Sequence, residues 1–262
     1  MNEQMAEPHR APEPPKVQPP VKPPRVPVFN LPPALFFSLC LIAVIYAVQA
    51  LVLSDDAVNW LFNTFGFNPH SYVVPLSQQG LELFWTPVTY SLLHGSVQHI
   101  VFNAFWLMAF GAPVVRRIGT LRFVLFWIFS AVASAALHMA LNWGDVSLLI
   151  GASGVISGLM GAACRFAFPA ERRPMLPAHL NDRLSIVEAL KSRTVIIFML
   201  LWLVGNALIA VGIPLAGDGD QAIAWDAHIG GFVFGFFLFS LFDRGPSEPV
   251  EPAGTEKDVL QS

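Results

Sequence analysis

Charge is what this sequence has least of. Asp, Glu, Lys and Arg make up 13 % of its 262 residues, about half of the ~25 % usual in soluble domains. That shortfall excludes the charged coat a water-soluble chain of this size carries, and a net charge of -3 gives no reason to expect a nucleic-acid partner. Cysteine is nearly absent: Cys40 and Cys164 each fall inside an apolar run and read as packing residues rather than a disulfide. No early apolar stretch with a cleavage site opens the chain, so no signal peptide is expected. Apolar residues, at 54 %, take the place of charge, as expected of a chain that crosses a membrane repeatedly.

Residues 1–33 hold eleven prolines together with Lys16, Lys22 and Arg25, which predicts an extended, solvated tail of polyproline type. The first apolar run, from about Ala34 to Leu53, is long enough to span a bilayer as a helix, and Asp55 and Asp56 end it. Residues 57–93 are rich in aromatics (Trp60, Phe62, Phe65, Phe67, Phe84, Trp85) and broken by Gly66, Pro69, Pro75, Gly80 and Pro87. Aromatic side chains favour the headgroup level, so this stretch reads as a loop lying in the membrane interface. Five further apolar runs follow, at about 97–115, 121–142, 150–168, 194–213 and 225–242. The expectation is an all-α membrane protein with six spans over 34–243 and a second tail at 244–262.

With six spans, both tails share a side with the loops at 116–122 and 165–193, and all 15 Lys and Arg fall on that side. The opposite loops carry Asp55, Asp56, Glu82, Asp145, Asp218, Asp220 and Asp226 and no basic residue. The positive-inside rule then puts both termini in the cytoplasm, of a bacterial inner membrane.

Within the fourth run lies Gly151-Ala152-Ser153-Gly154-Val155-Ile156-Ser157-Gly158-Leu159-Met160-Gly161. Its glycines recur at helical spacing, a cost of about 1 kcal/mol each in water. In lipid the same glycines let two backbones approach closely and gain dispersion contacts. The sixth run has a matching stripe of small residues, Ala227, Gly231 and Gly235, adjoining His228. Spans two, four and six run in the same direction, so His99 and Asn103, Ser153, and His228 all fall about one turn below the same face. A serine hydroxyl is a weak nucleophile without a base; His228 can be brought to Ser153 by the two small-residue stripes. His99 and Asn103, at i and i+4, leave one helix face together and can donate to an oxyanion. Asp226, two residues from His228, faces elsewhere, so a Ser/His dyad is the economical reading.

The segments Gly151-Ala152-Ser153-Gly154, His94 through His99 to Asn103, and Ala227-His228 with Gly230-Gly231 resemble the rhomboid family of intramembrane serine proteases, over about residues 34–243. The resemblance implies a six-helix bundle with a water-filled cavity open to the outside, Ser153 as nucleophile and His228 as general base. His99, Asn103 and the Ser153 backbone N–H would form the oxyanion hole, supported by His94, Gly151, Gly154 and Gly231. Substrates would be transmembrane segments of other proteins, cut near the outer face. No cofactor is implied. The chain departs from the family pattern at three places: Ser157 replaces an aromatic that stacks on the histidine in many relatives, Trp85-Thr86 replaces a Trp-Arg pair, and Arg116 stands where an acidic residue is frequent.

Each residue alone has a plainer reading. Serine on a glycine-rich membrane helix is commonly packing. His138 has no evident partner in the sequence and reads as an interhelical hydrogen-bonding group, and Asn206 as glue between helices. His70 and His179 read as solvated loop residues. What favours chemistry is the joint occurrence of Ser, His and the His/Asn pair at one depth on three helices. Three other functions compete: a proteolytically silent rhomboid-like protein binding transmembrane clients, a transporter or channel, and a metal site of His94, His99 and His228. The intact Ser153 and His228, the absence of an internal repeat and the missing His-Glu-x-x-His pattern weigh against each in turn. The sequence leaves the oligomeric state and the partners of the proline-rich tail open.

Overall fold

The computed structural model describes residues 31–168, 177–211 and 224–245. The expected tails at 1–33 and 244–262 lie almost wholly outside these; Pro33 is the first residue of a helix. Nine α-helices are present among the described residues: α1 (Pro33–Leu51), α2 (Asp55–Phe65), α3 (Thr86–Thr89), α4 (Val97–Ile118), α5 (Thr120–Leu141), α6 (Ser153–Ala163), α7 (Ile186–Lys191), α8 (Arg193–Ala210) and α9 (Trp225–Leu238). No strand occurs among them beyond one isolated bridge, Phe67 with Leu149. The fold is an all-helical bundle of apolar helices, as the sequence predicts.

Four of these helices, α1, α4, α5 and α8, are long and apolar enough to cross a membrane by length and composition. Their outward faces carry Phe36, Phe37, Leu41, Phe105, Phe129, Leu200 and Leu201 exposed, which is stable only against lipid. The fourth and sixth apolar runs form shorter helices. The expected span at 150–168 is helical only from Ser153 to Ala163. The difference has a local cause: Gly151 sits at φ +110°, outside helical space, and Leu149 is hydrogen-bonded to Phe67 in both directions (3.1 and 2.8 Å). The resulting α6 is about 16 Å long, and every residue from Gly154 to Ala163 is buried. It is the axle of the bundle.

The stretch 57–93 is less irregular than its prolines and glycines suggest. It opens with α2, capped by Ser54 accepting from the Ala57 N–H (3.4 Å), with Asp55 and Asp56 in the first turn, where the helix dipole favours negative charge. No residue of α2 is buried. The stretch then turns inward: Tyr90 is buried and its hydroxyl donates to the Ala131 carbonyl on α5 (3.0 Å).

At the far end from Ser153, two arginines staple the bundle. Buried Arg117 makes a forked ion pair with Asp243 (2.9 and 3.0 Å) and also donates to the His179 and Asn181 carbonyls. Arg165 donates to the Phe236 carbonyl (2.7 Å) and to that of Leu184. His179 is thus a packed loop residue rather than a freely solvated one; burial, with Arg116 and Arg117 nearby, holds its imidazole below the ordinary value. Cys40 is exposed on α1 and Cys164 buried, neither in a disulfide.

Candidate active site

The site is built on the contact between α6 and α9. Both helices are free of side chains where they meet. A Cβ on Gly231 would run into the Gly154 carbonyl, one on Gly235 into the Gly158 carbonyl, and one on Gly161 into the Phe232 carbonyl. The small-residue stripes read from the sequence therefore face each other. Trp202 of α8 stacks on Phe232 (centroids 4.2 Å apart) and closes this layer.

The approach places Ser153, the first residue of α6, against His228 in the first turn of α9. Ser153 Oγ and His228 Nε2 are 2.9 Å apart. Its main chain is fixed from the other side: the Gly151 N–H donates to the Tyr90 carbonyl (3.0 Å), and the Phe67–Leu149 bridge holds the residues just before it. The segment 57–93 therefore sets where Ser153 stands, a link that sequence reasoning did not reach.

His99 and Asn103 leave α4 on one face and converge on Gly151. An added Cβ at Gly151 would lie 2.5 Å from His99 Nε2 and 3.6 Å from Asn103 Nδ2. Asn103 is buried, and its Nδ2 has no hydrogen-bond partner among the described residues. A side-chain amide and an imidazole thus gather two residues from Ser153. His94 stands behind this pair, its ring edge-on to that of His99 at 5.0 Å and its carbonyl accepting from Gln49 Nε2 (2.8 Å). His94, His99 and His228 do not form a metal-holding group; among the described residues there is none.

The other polar residues singled out in the sequence acquire named partners, and His138 and Asn206 do join helices as their sequence reading expects. His138 has a partner after all: its Nδ1 lies 2.8 Å from Asp226 Oδ1, and Asn142 donates to Asp226 Oδ2 (2.6 Å). Asp226 does face away from Ser153, as helical spacing requires, and ties α9 to α5. His70 hydrogen-bonds the Gly144 carbonyl (3.0 Å). Asn206 bridges α8 to α9 but does so through His228 itself, its Oδ1 2.9 Å from His228 Nδ1. Ser157 is buried, and no aromatic ring stacks on His228 among the described residues.

Comparison with known proteins gives one family. The family model of the Rhomboid domain matches residues 82–244. The chain is 30 % identical over 164 residues to the rhomboid protease GlpG of Pectobacterium atrosepticum, covering 63 % of this chain and 50 % of that protein. It is 27 % identical over 223 residues to the rhomboid proteases GlpG of Yersinia pseudotuberculosis and Yersinia pestis, covering 83 % of this chain and 66 % of theirs. The chain spans between half and two thirds of the length of these relatives.

Proposed function

Because the chain belongs to the rhomboid family, we propose that it is an intramembrane serine endopeptidase working through a Ser153/His228 dyad. The observation that carries this reading is the 2.9 Å contact of Ser153 Oγ with His228 Nε2, between two helices whose glycines admit it. A hydroxyl becomes a competent nucleophile when a base takes its proton as it attacks. In the proposed cycle Ser153 Oγ adds to the scissile carbonyl while its proton passes to His228 Nε2. Collapse of the tetrahedral adduct expels the amine, which receives that proton. Water, deprotonated by the same nitrogen, then hydrolyses the acyl-enzyme.

The negative oxygen of the adduct needs donors aimed where charge develops. His99, Asn103 and the Ser153 backbone N–H are assigned that role, and the unpaired Asn103 Nδ2 supports it. His94 backs His99, while Gly151, Gly154 and Gly231 keep space for these approaches. Substrates are transmembrane segments of other proteins, cut near the extracytoplasmic face, with both termini of this chain in the cytoplasm. The charge asymmetry of the loops, all 15 basic residues falling on one side, supports that orientation.

Labelling the detergent-solubilised chain with a fluorophosphonate probe tests the assignment. Wild type is expected to label, and Ser153→Ala and His228→Ala are expected not to. A folded wild type that does not label would favour a silent client-binding relative.

A further inference from the structure

We propose that Asn206 is a positioning residue for His228, completing a Ser153–His228–Asn206 relay drawn from α6, α9 and α8. The proposal rests on Ser153 and His228 being nucleophile and base.

Helix α8 is apolar and largely exposed; its buried residues are Val195 and Asn206. An amide in that setting is costly unless its hydrogen bonds are met. Asn206 meets them with two partners, both on α9. Its Nδ2 donates to the Trp225 carbonyl at 3.0 Å, and its Oδ1 lies 2.9 Å from His228 Nδ1.

These contacts have only one consistent direction. A main-chain carbonyl can only accept, so the NH₂ of Asn206 must face Trp225, and a flipped amide would set two oxygens against each other there. The amide oxygen then faces His228 and carries no hydrogen, so His228 Nδ1 must bear the proton. In a neutral imidazole the other nitrogen is then a lone pair. That nitrogen is Nε2, the atom 2.9 Å from Ser153 Oγ. A backbone carbonyl three residues before His228 thus decides, through Asn206, that the histidine accepts the serine proton.

Asp226 cannot take this part. Its oxygens are engaged by His138, Asn142 and the Ala227 N–H. The relay also serves the charged state: when His228 holds both protons, Nδ1–H still points at the amide oxygen.

The experiment uses the full chain in detergent, with Asn206→Ala and Asn206→Asp beside wild type. Three properties are read: the fluorophosphonate labelling rate against pH, the ¹⁵N resonances of the His228 ring, and the melting temperature. Asn206→Ala is expected to label about 10- to 100-fold more slowly, to show a mixture of ring tautomers, and to melt close to wild type. Asn206→Asp keeps the acceptor facing His228 but gives up the donor to the Trp225 carbonyl, so it is expected to recover labelling in part. Its carboxylate favours the imidazolium, so the acid limb of the rate profile moves to higher pH. The other ionisable groups acting on His228, His99 and Asp226, are unchanged in both variants.

Wild-type labelling by Asn206→Ala with Nδ1 still protonated would overturn the relay and leave the dyad standing. Should that variant not fold, an unshifted profile in Asn206→Asp overturns it equally. Labelling that survives His228→Ala would instead overturn the dyad itself.

Discussion

The ring of His99 occupies the place a side chain on residue 151 would need. A Cβ on Gly151 would stand 2.5 Å from His99 Nε2, and Gly151 itself lies at φ +110°, a conformation side chains rarely tolerate. Gly151→Ala is therefore penalised twice, by strain and by collision with the expected oxyanion donor. Labelling by a serine probe is expected to be lost while circular dichroism still reports a helical protein. Normal labelling would mean that the 149–152 segment is softer than its hydrogen bonds indicate.

Removing the donors themselves acts on rate rather than on fold. If His99 and Asn103 hold the oxyanion as proposed, His99→Ala and Asn103→Ala are each expected to lower kcat on a transmembrane substrate by about 100- to 1000-fold, with KM little changed, because the charge they would meet is absent from the ground state. A loss confined to KM would assign the pair to substrate binding.

The contact between α6 and α9 tolerates no added atom. Gly235→Ala drives a methyl into the Gly158 carbonyl, and a rigid carbonyl cannot swing aside as a side chain can. Overpacking of this kind costs about 1–3 kcal/mol, and separating the helices also pulls His228 from Ser153. Thermal unfolding in detergent should show the first effect and probe labelling the second. A variant that melts earlier yet labels normally would show that the helices part only away from the site.

Arg117 and Asp243 form a forked ion pair at the opposite end, both side chains almost wholly buried. Asp243→Ala leaves a buried guanidinium without its counter-charge and is expected to destabilise by about 3–5 kcal/mol. The double change Arg117→Met with Asp243→Leu removes the uncompensated charge and is expected to cost less. Unfolding midpoints of the three proteins check this, and a double variant worse than the single would show that the arginine's bonds to the His179 and Asn181 carbonyls dominate.

Much of this was legible in the sequence, and what was not has a common cause. Apolar runs of sufficient length located the helices, and glycine spacing marked the two faces that meet, because both are local patterns with a helical period. The bridge of Phe67 to Leu149, the pairing of His138 with Asp226 and the bond of Asn206 to His228 join residues 82, 88 and 22 positions apart. They depend on how one element is rotated against another, which no local period encodes. The same applies to the late start of α6: Gly151 read as one more helical glycine until its backbone proved to be left-handed. Asn206 was read correctly as a residue between helices. Its particular partner depends on the rotation of α8, whose apolar residues run all the way round it and give that rotation no signature.

The brevity of α6 bears on how the molecule comes into being. At about 16 Å it cannot cross the ~30 Å of a hydrocarbon core alone, and although Gly154 and Gly158 already abut Ser134 and Ser130 of α5, the side that meets the backbone of Gly231 and Gly235 is bare until α9 arrives. Helix α9 is the last of the described helices to be synthesised. Ser153 is therefore made well before His228, and on the proposed dyad it has no base while the segments between them are threaded into the bilayer. On that reading the order of segments along the chain acts as a safety catch, released once α9 is in place.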